Sequence, residues 1–285
     1  ATNRVHAVAG GCGIVEHWQG WLGETLIVGF SVRSFNPVTG EWDLVLLWPQ
    51  PDRTSFGTLH GRFRHGRGDF FTGDGEQLTR CSFSDVSESA FRWSDAFSAD
   101  AGVTWTHSWI MEFSRRPADA DPLVLNATAA RSFRCGAERY RALDGAVGEW
   151  RGTAAAGDSG GEEHPARLQL VPVLGGCAVM ALLTVEPDAA EPLSHFSVLA
   201  RDDTGDEWVE WRLSSDRPVL RRLASPTAGE GAVFSGSYEG VEGPLDLRTG
   251  WTRLDEDALE LVFEESEGEG AGWTERLRVE LRRVI

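Results

Sequence analysis

Glu16-His17-Trp18 is the stretch of this 285-residue chain best equipped for chemistry. A carboxylate next to an indole can polarise a small molecule while gripping its flat apolar part. Strand alternation puts Glu16 and Trp18 on one face and His17 on the other. Turned inward, Glu16 becomes a candidate general acid or base. The competing reading is structural, a wall carboxylate paired with Arg33 or Arg80. Trp18, Trp42, Trp48, Trp93 and Trp109, with His60 and His107, are candidates to line an aromatic cavity, although core filling alone explains part of that set. A lone His between aromatics is more often a bonded core residue than a ligand. His60, close to Arg62 and Arg64, also suits an exposed basic strand face. The expected site therefore has Glu16 and Arg80 as catalytic groups. Trp18, Arg33, Trp42, Trp48, His60, Trp93, His107 and Trp109 contact substrate, and no metal is expected.

These residues stand out because the chain repeats itself and the second copy lacks them. Val8-Ala9-Gly10-Gly11-Cys12 returns as Val173-Leu174-Gly175-Gly176-Cys177. Phe30-Ser31-Val32 returns as Phe196-Ser197-Val198, and Trp42 as Trp208. Arg80, Phe83, Ser98 and Trp105 align with Arg248, Trp251, Ser266 and Trp273. Anchors in one order, with little drift in spacing, mean duplication. Opposite Glu16-His17-Trp18 the second copy has Ala181-Leu182-Leu183. Groups kept in both copies, such as Arg80/Arg248 and Trp105/Trp273, are most economically structural, which counts against Arg80 as a catalytic group. Ionisable groups found only in the first copy are the better functional candidates.

Within each copy short segments alternate with period two and are separated by Gly-, Asp- and Asn-containing turns. Trp42, Leu44, Leu46 and Trp48 share one strand face. Trp105, His107, Trp109, Met111 and Phe113 share another. A meander of this length either sandwiches or closes, and closure removes exposed edges. The expected fold is all-β, with two tandem lipocalin-like antiparallel β-barrels and a short helix, about Ala129 to Leu143, before the second. The expected divisions are 1–118 for the first barrel, 119–135 for a linker and 136–285 for the second barrel. After the helix, Gly148-Glu149-Trp150 would open the second barrel, its Trp closing the floor against Arg278 or Arg282. The first copy shows no equivalent opening strand, so residues before Ala1 are expected to supply it.

Composition excludes several classes. The net charge is −17 and the chain has no Lys, which argues against nucleic acid and anionic membranes as partners. Arg without Lys, amid abundant Gly and Ala, suits a high-GC bacterial genome. The four Cys lack metal-ligand spacing, and no apolar run approaches the roughly 20 residues of a membrane span. A reduced, cytoplasmic setting is expected. There is no P-loop, dinucleotide-binding glycine pattern, nucleophile elbow or H-E-x-x-H.

Together these residues resemble a bacterial lipocalin-like family of the calycin type. The resemblance is carried by Cys12, Glu16, Trp18, Trp42, Trp48, Arg80, Phe83, and the run Ser98, Asp100, Gly102, Thr104, Trp105. In the second copy it is carried by Gly148, Trp150, Cys177, Arg248 and Trp251, with Gly268 replacing the counterpart of Asp100. The resemblance implies the barrel fold but not one function, because such barrels include carriers, haem proteins and cofactor-free cyclases. The expected activity is binding of a small hydrophobic or aromatic molecule in the first barrel by a cofactor-independent cyclase or isomerase of specialised metabolism. The alternative is a non-catalytic carrier or sensor. Haem binding is weaker, since no His holds a recognisable axial position. No cofactor is expected, and a homodimer is possible. The second barrel, with its apolar substitutions, is expected to be filled by its own side chains and to act as a scaffold or dimer partner.

Overall fold

The computed structural model describes residues 2–49, 54–116, 135, 137–157, 161–187, 191–229, 231–240, 243–268 and 271–284. The chain is nearly all β, in two antiparallel barrels, one nearly closed and one closed. The first holds β1 (Thr2–Val8), β2 (Gly13–Leu22), β3 (Thr25–Asn36), β4 (Glu41–Leu47), β5 (Phe56–Arg64), β6 (Arg67–Asp74), β7 (Gln77–Ser84), β8 (Ala90–Ser98) and β9 (Thr106–Ser114). The second holds β10 (Gly148–Ala155), β11 (Glu163–Val173), β12 (Ala178–Val185), β13 (Leu193–Asp202) and β14 (Glu207–Ser214). It continues through β15 (Arg221–Ser225), β16 (Ala232–Gly240), β17 (Gly243–Asp255), β18 (Ala258–Ser266) and β19 (Thr274–Arg283). Within each barrel every strand pairs with its sequence neighbours, and β10 also pairs with β19 to close the second barrel.

The duplication is visible in the backbone. β1 and β11 each run into a single 3-10 turn, Ala9–Gly11 and Leu174–Gly176. In each turn a Gly holds a positive φ, 64° at Gly10 and 71° at Gly175, a conformation that a β-carbon would strain. β1 therefore corresponds to β11 and β9 to β19. Among the described residues β10 has no counterpart, and no strand lies between β1 and β9. Both copies also share a bulge. Asp95 faces Trp109 while Ala96 faces His107, and Phe263 faces Leu277 while Glu264 faces Glu275. The extra residue breaks alternation. Trp109, Met111 and Phe113 therefore point inward, whereas His107 faces out, contrary to the single shared face expected from the sequence.

The expected helix over Ala129 to Leu143 falls partly outside the described residues, as does all of the expected linker except Cys135. Where the segment is described, it forms only the 3-10 turns Glu138–Tyr140 and Asp144–Ala146. Tertiary ties override helical propensity there. Cys135 is disulfide-bonded to Cys177 and the Tyr140 hydroxyl donates to Asp203 Oδ2 at 2.6 Å. A cytoplasmic chain is expected to keep its thiols reduced, so this disulfide departs from the sequence reading. The floor of the second barrel also differs in its basic partner. Arg283, cross-strand from Trp150, lies over the indole at 4.3 Å. Arg278 instead pairs with Glu260 and Glu275, and Arg282 with Asp255.

The two barrels pack through equivalent outer faces. Val15, Phe30, Val32, Val45 and Leu47 of the first join Met180, Phe196, Val198, Trp211 and Leu213 of the second in one buried cluster. Such self-complementary use of one patch resembles a two-fold dimer interface. It also explains why the outer faces of β3 and β12 to β14 are largely apolar, since the contact buries them. His17 lies on the outer face of β2, edge-on to Phe30 at 4.5 Å. Burial first, then His6 and Arg4, push its imidazole down to about 3. Its folded pKa thus lies below the ordinary 6.5, so the unfolded chain takes up the proton and stability falls as pH drops through that window. From pH 6 to 5 the loss from His17 is about 1 kcal/mol. Urea midpoints should show His17→Leu, which copies Leu182, losing that much less than wild type. Equal acid sensitivity in both proteins would contradict the assignment.

Candidate functional site

Register decides which side chains meet inside the first barrel. Ile14 faces Arg33, Glu16 faces Ser31 and Trp18 faces Gly29 across β2 and β3. Cross-strand partners share a face, so Glu16, Trp18, Ser31 and Arg33 all point inward. Glu16 is saturated. Asn3 Nδ2 donates to Oε1 at 2.6 Å, and Ser31 Oγ and Arg33 Nη2 approach Oε2 at 3.1 and 3.0 Å. The Arg33 guanidinium also lies 4.9 Å from the Phe83 ring.

Beside this pair, Trp18, Trp48 and Trp109 form a three-indole group. Trp18 and Trp48 stack at 5.7 Å over Gly29, and Trp109 meets both edge-on at 5.4 and 5.5 Å. Three buried polar atoms on this inner face have no hydrogen-bond partner: Asn3 Oδ1, Arg33 Nε and Trp18 Nε1. Buried polar atoms are normally bonded, so these are positions where a bound molecule could supply the partner.

The remaining predicted residues divide. Trp42 and Trp93 are inward but belong to a separate group packed on Leu44, Leu59, Phe70, Cys81 and Phe83. Trp42 meets Phe35 and Phe63 edge-on, each at 6.0 Å. His60, Arg80 and His107 lie on the outer face. His60 Nδ1 pairs with Asp43 at 2.7 Å and its side chain is 56% exposed. Arg80 faces Phe71, next to inward Phe70, and lies over Trp105 at 4.2 Å. Arg248 lies over Trp273 at 4.3 Å in the second copy. This outer cation–π pair answers the expectation of a catalytic Arg80, because the guanidinium is on the opposite side of the sheet from Glu16. Arg80→Gln should therefore leave ligand affinity within about twofold while weakening the fold by about 1 kcal/mol. A titration showing a tenfold loss would place Arg80 in the site after all.

The run from Ser98 to Trp105 proves to be a turn scaffold. Asp100 accepts from Thr104 N at 2.8 Å and Thr104 Oγ1 at 2.6 Å, which hold its carboxyl down at about 2. Trp105 Nε1 donates to Gly102 O at 2.9 Å.

The side chains inside the second barrel are not all apolar. Ala181, Leu183 and Leu199 do replace Glu16, Trp18 and Arg33. Yet Glu210 and Arg212 stand where the first copy has Leu44 and Leu46, and His195 where it has Gly29. Glu210, Arg212 and Arg221 are buried, at 1%, 4% and 4% exposure. Their signal was present in the sequence. Glu210, Arg212 and Ser214 alternate in phase with Trp208, the counterpart of inward Trp42. They are peculiar to the second copy, so they do not stand out among groups found only in the first.

No family model matches the sequence, and no curated protein matches it. Among solved structures the chain is similar to a protein of unknown function from the DUF3598 family of Nostoc punctiforme. The identity is 11% and the TM-score 0.26, over 95% of this chain and 93% of that one. So low a TM-score carries no argument. Strand order and register define the class instead: two antiparallel barrels in tandem, which fit a lipocalin-like fold. Among the described residues no helix is long and apolar enough to cross a membrane.

Proposed function

We propose that the first barrel, of the calycin type, holds a small, largely aromatic molecule against Trp18, Trp48 and Trp109, with a polar group near Arg33. The observation that carries this reading is the buried, unpartnered Trp18 Nε1 within the three-indole group, with a second unpartnered donor, Arg33 Nε, on the guanidinium that pairs with Glu16. An apolar wall with a few convergent donors is what small-molecule sites offer. The carrier or sensor reading has support of its own, since both oxygens of Glu16 are engaged by Asn3, Ser31 and Arg33. A carboxylate so occupied must surrender a bond before it can move a proton. The cyclase or isomerase reading needs Glu16 to be released from Asn3 or Arg33 when substrate enters. Soaking the protein in a bacterial metabolite extract separates the two. A carrier retains a compound unaltered, and Glu16→Gln retains it as well. An isomerase returns a changed compound that Glu16→Gln leaves unchanged. Retention of nothing aromatic by wild type would sink both. Composition favours the cytoplasm, whereas the Cys135–Cys177 bond favours an oxidising compartment. Thiol trapping in cells decides between them.

A further inference from the structure

Arg212 and Arg221 face each other directly across β14 and β15 inside the second barrel. Like charges opposite one another on a sheet repel, and burial makes an uncompensated charge expensive. Neither guanidinium is ion-paired among the described residues. Arg212 donates to Thr249 Oγ1 and lies 5.1 Å from the Phe263 ring. Arg221 donates to Ser214 Oγ at 2.8 Å and to Arg217 O at 3.3 Å, and lies 5.5 Å from the Tyr238 ring. The Nε of each, and both ring nitrogens of His195, are buried without a partner.

The nearby carboxylates offset this only in part. The charges of Glu210, Glu265 and Asp216 reach Arg212, and that of Asp216 reaches Arg221, without an ion pair to either among the described residues. Glu265 is engaged by Arg217 and Arg276, and Asp216 is exposed on the β14–β15 connection. Glu210 accepts from Ser197 Oγ at 2.6 Å, not from either Arg. Burial, followed by the charge of Arg212, pulls the Arg221 guanidinium down to about 10. Burial and the same Arg212 also lower the His195 imidazole, leaving it neutral and able to donate one N–H.

We propose that the second barrel binds a small oxyanion, a carboxylate or phosphate group, between Arg212 and Arg221 with His195 alongside. Two guanidiniums present forked donors that match such a group, and its charge would relieve their repulsion. This site is distinct from the one in the first barrel and does not depend on it.

Thermal unfolding of the whole protein, at constant ionic strength with chloride as control, tests the proposal using sodium hexanoate and inorganic phosphate. At saturating concentration at least one should raise the midpoint by several degrees. A response to hexanoate alone identifies an organic acid, and a response to phosphate alone identifies a phosphoryl group. Arg212→Met/Arg221→Met should lose the response and, relieved of two unpaired charges, unfold at a higher temperature than wild type without anion. Glu210→Gln, which removes a competing negative charge, should bind more tightly than wild type. This arm keeps the test decisive if the double variant fails to fold. No response to either anion in wild type, or an undiminished response in a folded double variant, overturns the proposal. So does a response abolished by Glu16→Gln, which would place it in the first barrel.

Discussion

Arg33→Ala is expected to destabilise the first barrel by about 3–5 kcal/mol, read as a lower urea midpoint. The guanidinium is the cationic partner of Glu16, and the two side chains are only 11% and 14% exposed. Removing it leaves a carboxylate among Trp18, Ser31 and Asn3 with its charge unmatched. The pair itself is a poor source of stability, because desolvating both ions offsets most of their attraction. The second copy offers a natural comparison, having Ala181 and Leu199 at the two positions. Glu16→Ala/Arg33→Leu should accordingly recover most of the loss and unfold close to wild type. If the double variant falls as far as Arg33→Ala, the cost comes from packing, and the barrel does not treat Glu16 and Arg33 as a unit.

Trp48→Ala is expected to weaken binding of a simple aromatic probe, 1-naphthol, at least tenfold, or about 1.4 kcal/mol. The indole stacks on Trp18 and meets Trp109 edge-on. Its loss removes aromatic contact as well as apolar area. Trp42→Ala is the matching control. It empties the separate Phe-lined group at Phe35 and Phe63, so it should lower stability while leaving naphthol affinity nearly unchanged. Equal losses from both variants would mean that the probe occupies no defined place among the indoles.

The parts of the site legible in the sequence are those on unbroken strands. In β2 and β3 a regular period of two carries Glu16, Trp18 and Arg33 to one face, and the repeat marks them as peculiar to the first copy. Legibility fails where local pattern leaves the face undetermined. Phe70 and Phe71 are adjacent and both aromatic, so hydrophobicity alone cannot say which points inward, and Arg80 follows Phe71 through register. The extra residue at Ser108 reverses His107 relative to Trp109, and one strand read alone gives no sign of it. His60 was ambiguous from the start, and its pairing with Asp43 places it outside. Cys135 and Cys177 are 42 residues apart, and only the fold brings them within bonding reach. In the second barrel the inward phase of Glu210 and Arg212 was readable from Trp208. What was not readable is that Arg221 would face Arg212, since that depends on the pairing of β14 with β15.

The most direct test is the indole N–H spectrum of 15N-tryptophan-labelled protein during titration with 1-naphthol. Trp18 Nε1 is buried and unbonded, whereas Trp105 Nε1 and Trp150 Nε1 already donate to Gly102 O and Ala146 O. The Trp18 resonance is expected to move downfield as it gains an acceptor, with Trp48 and Trp109 shifting through ring currents and Trp105 and Trp150 unmoved. Naphthol that binds while Trp18 stays still, or that moves Trp150 instead, would contradict binding at the three indoles.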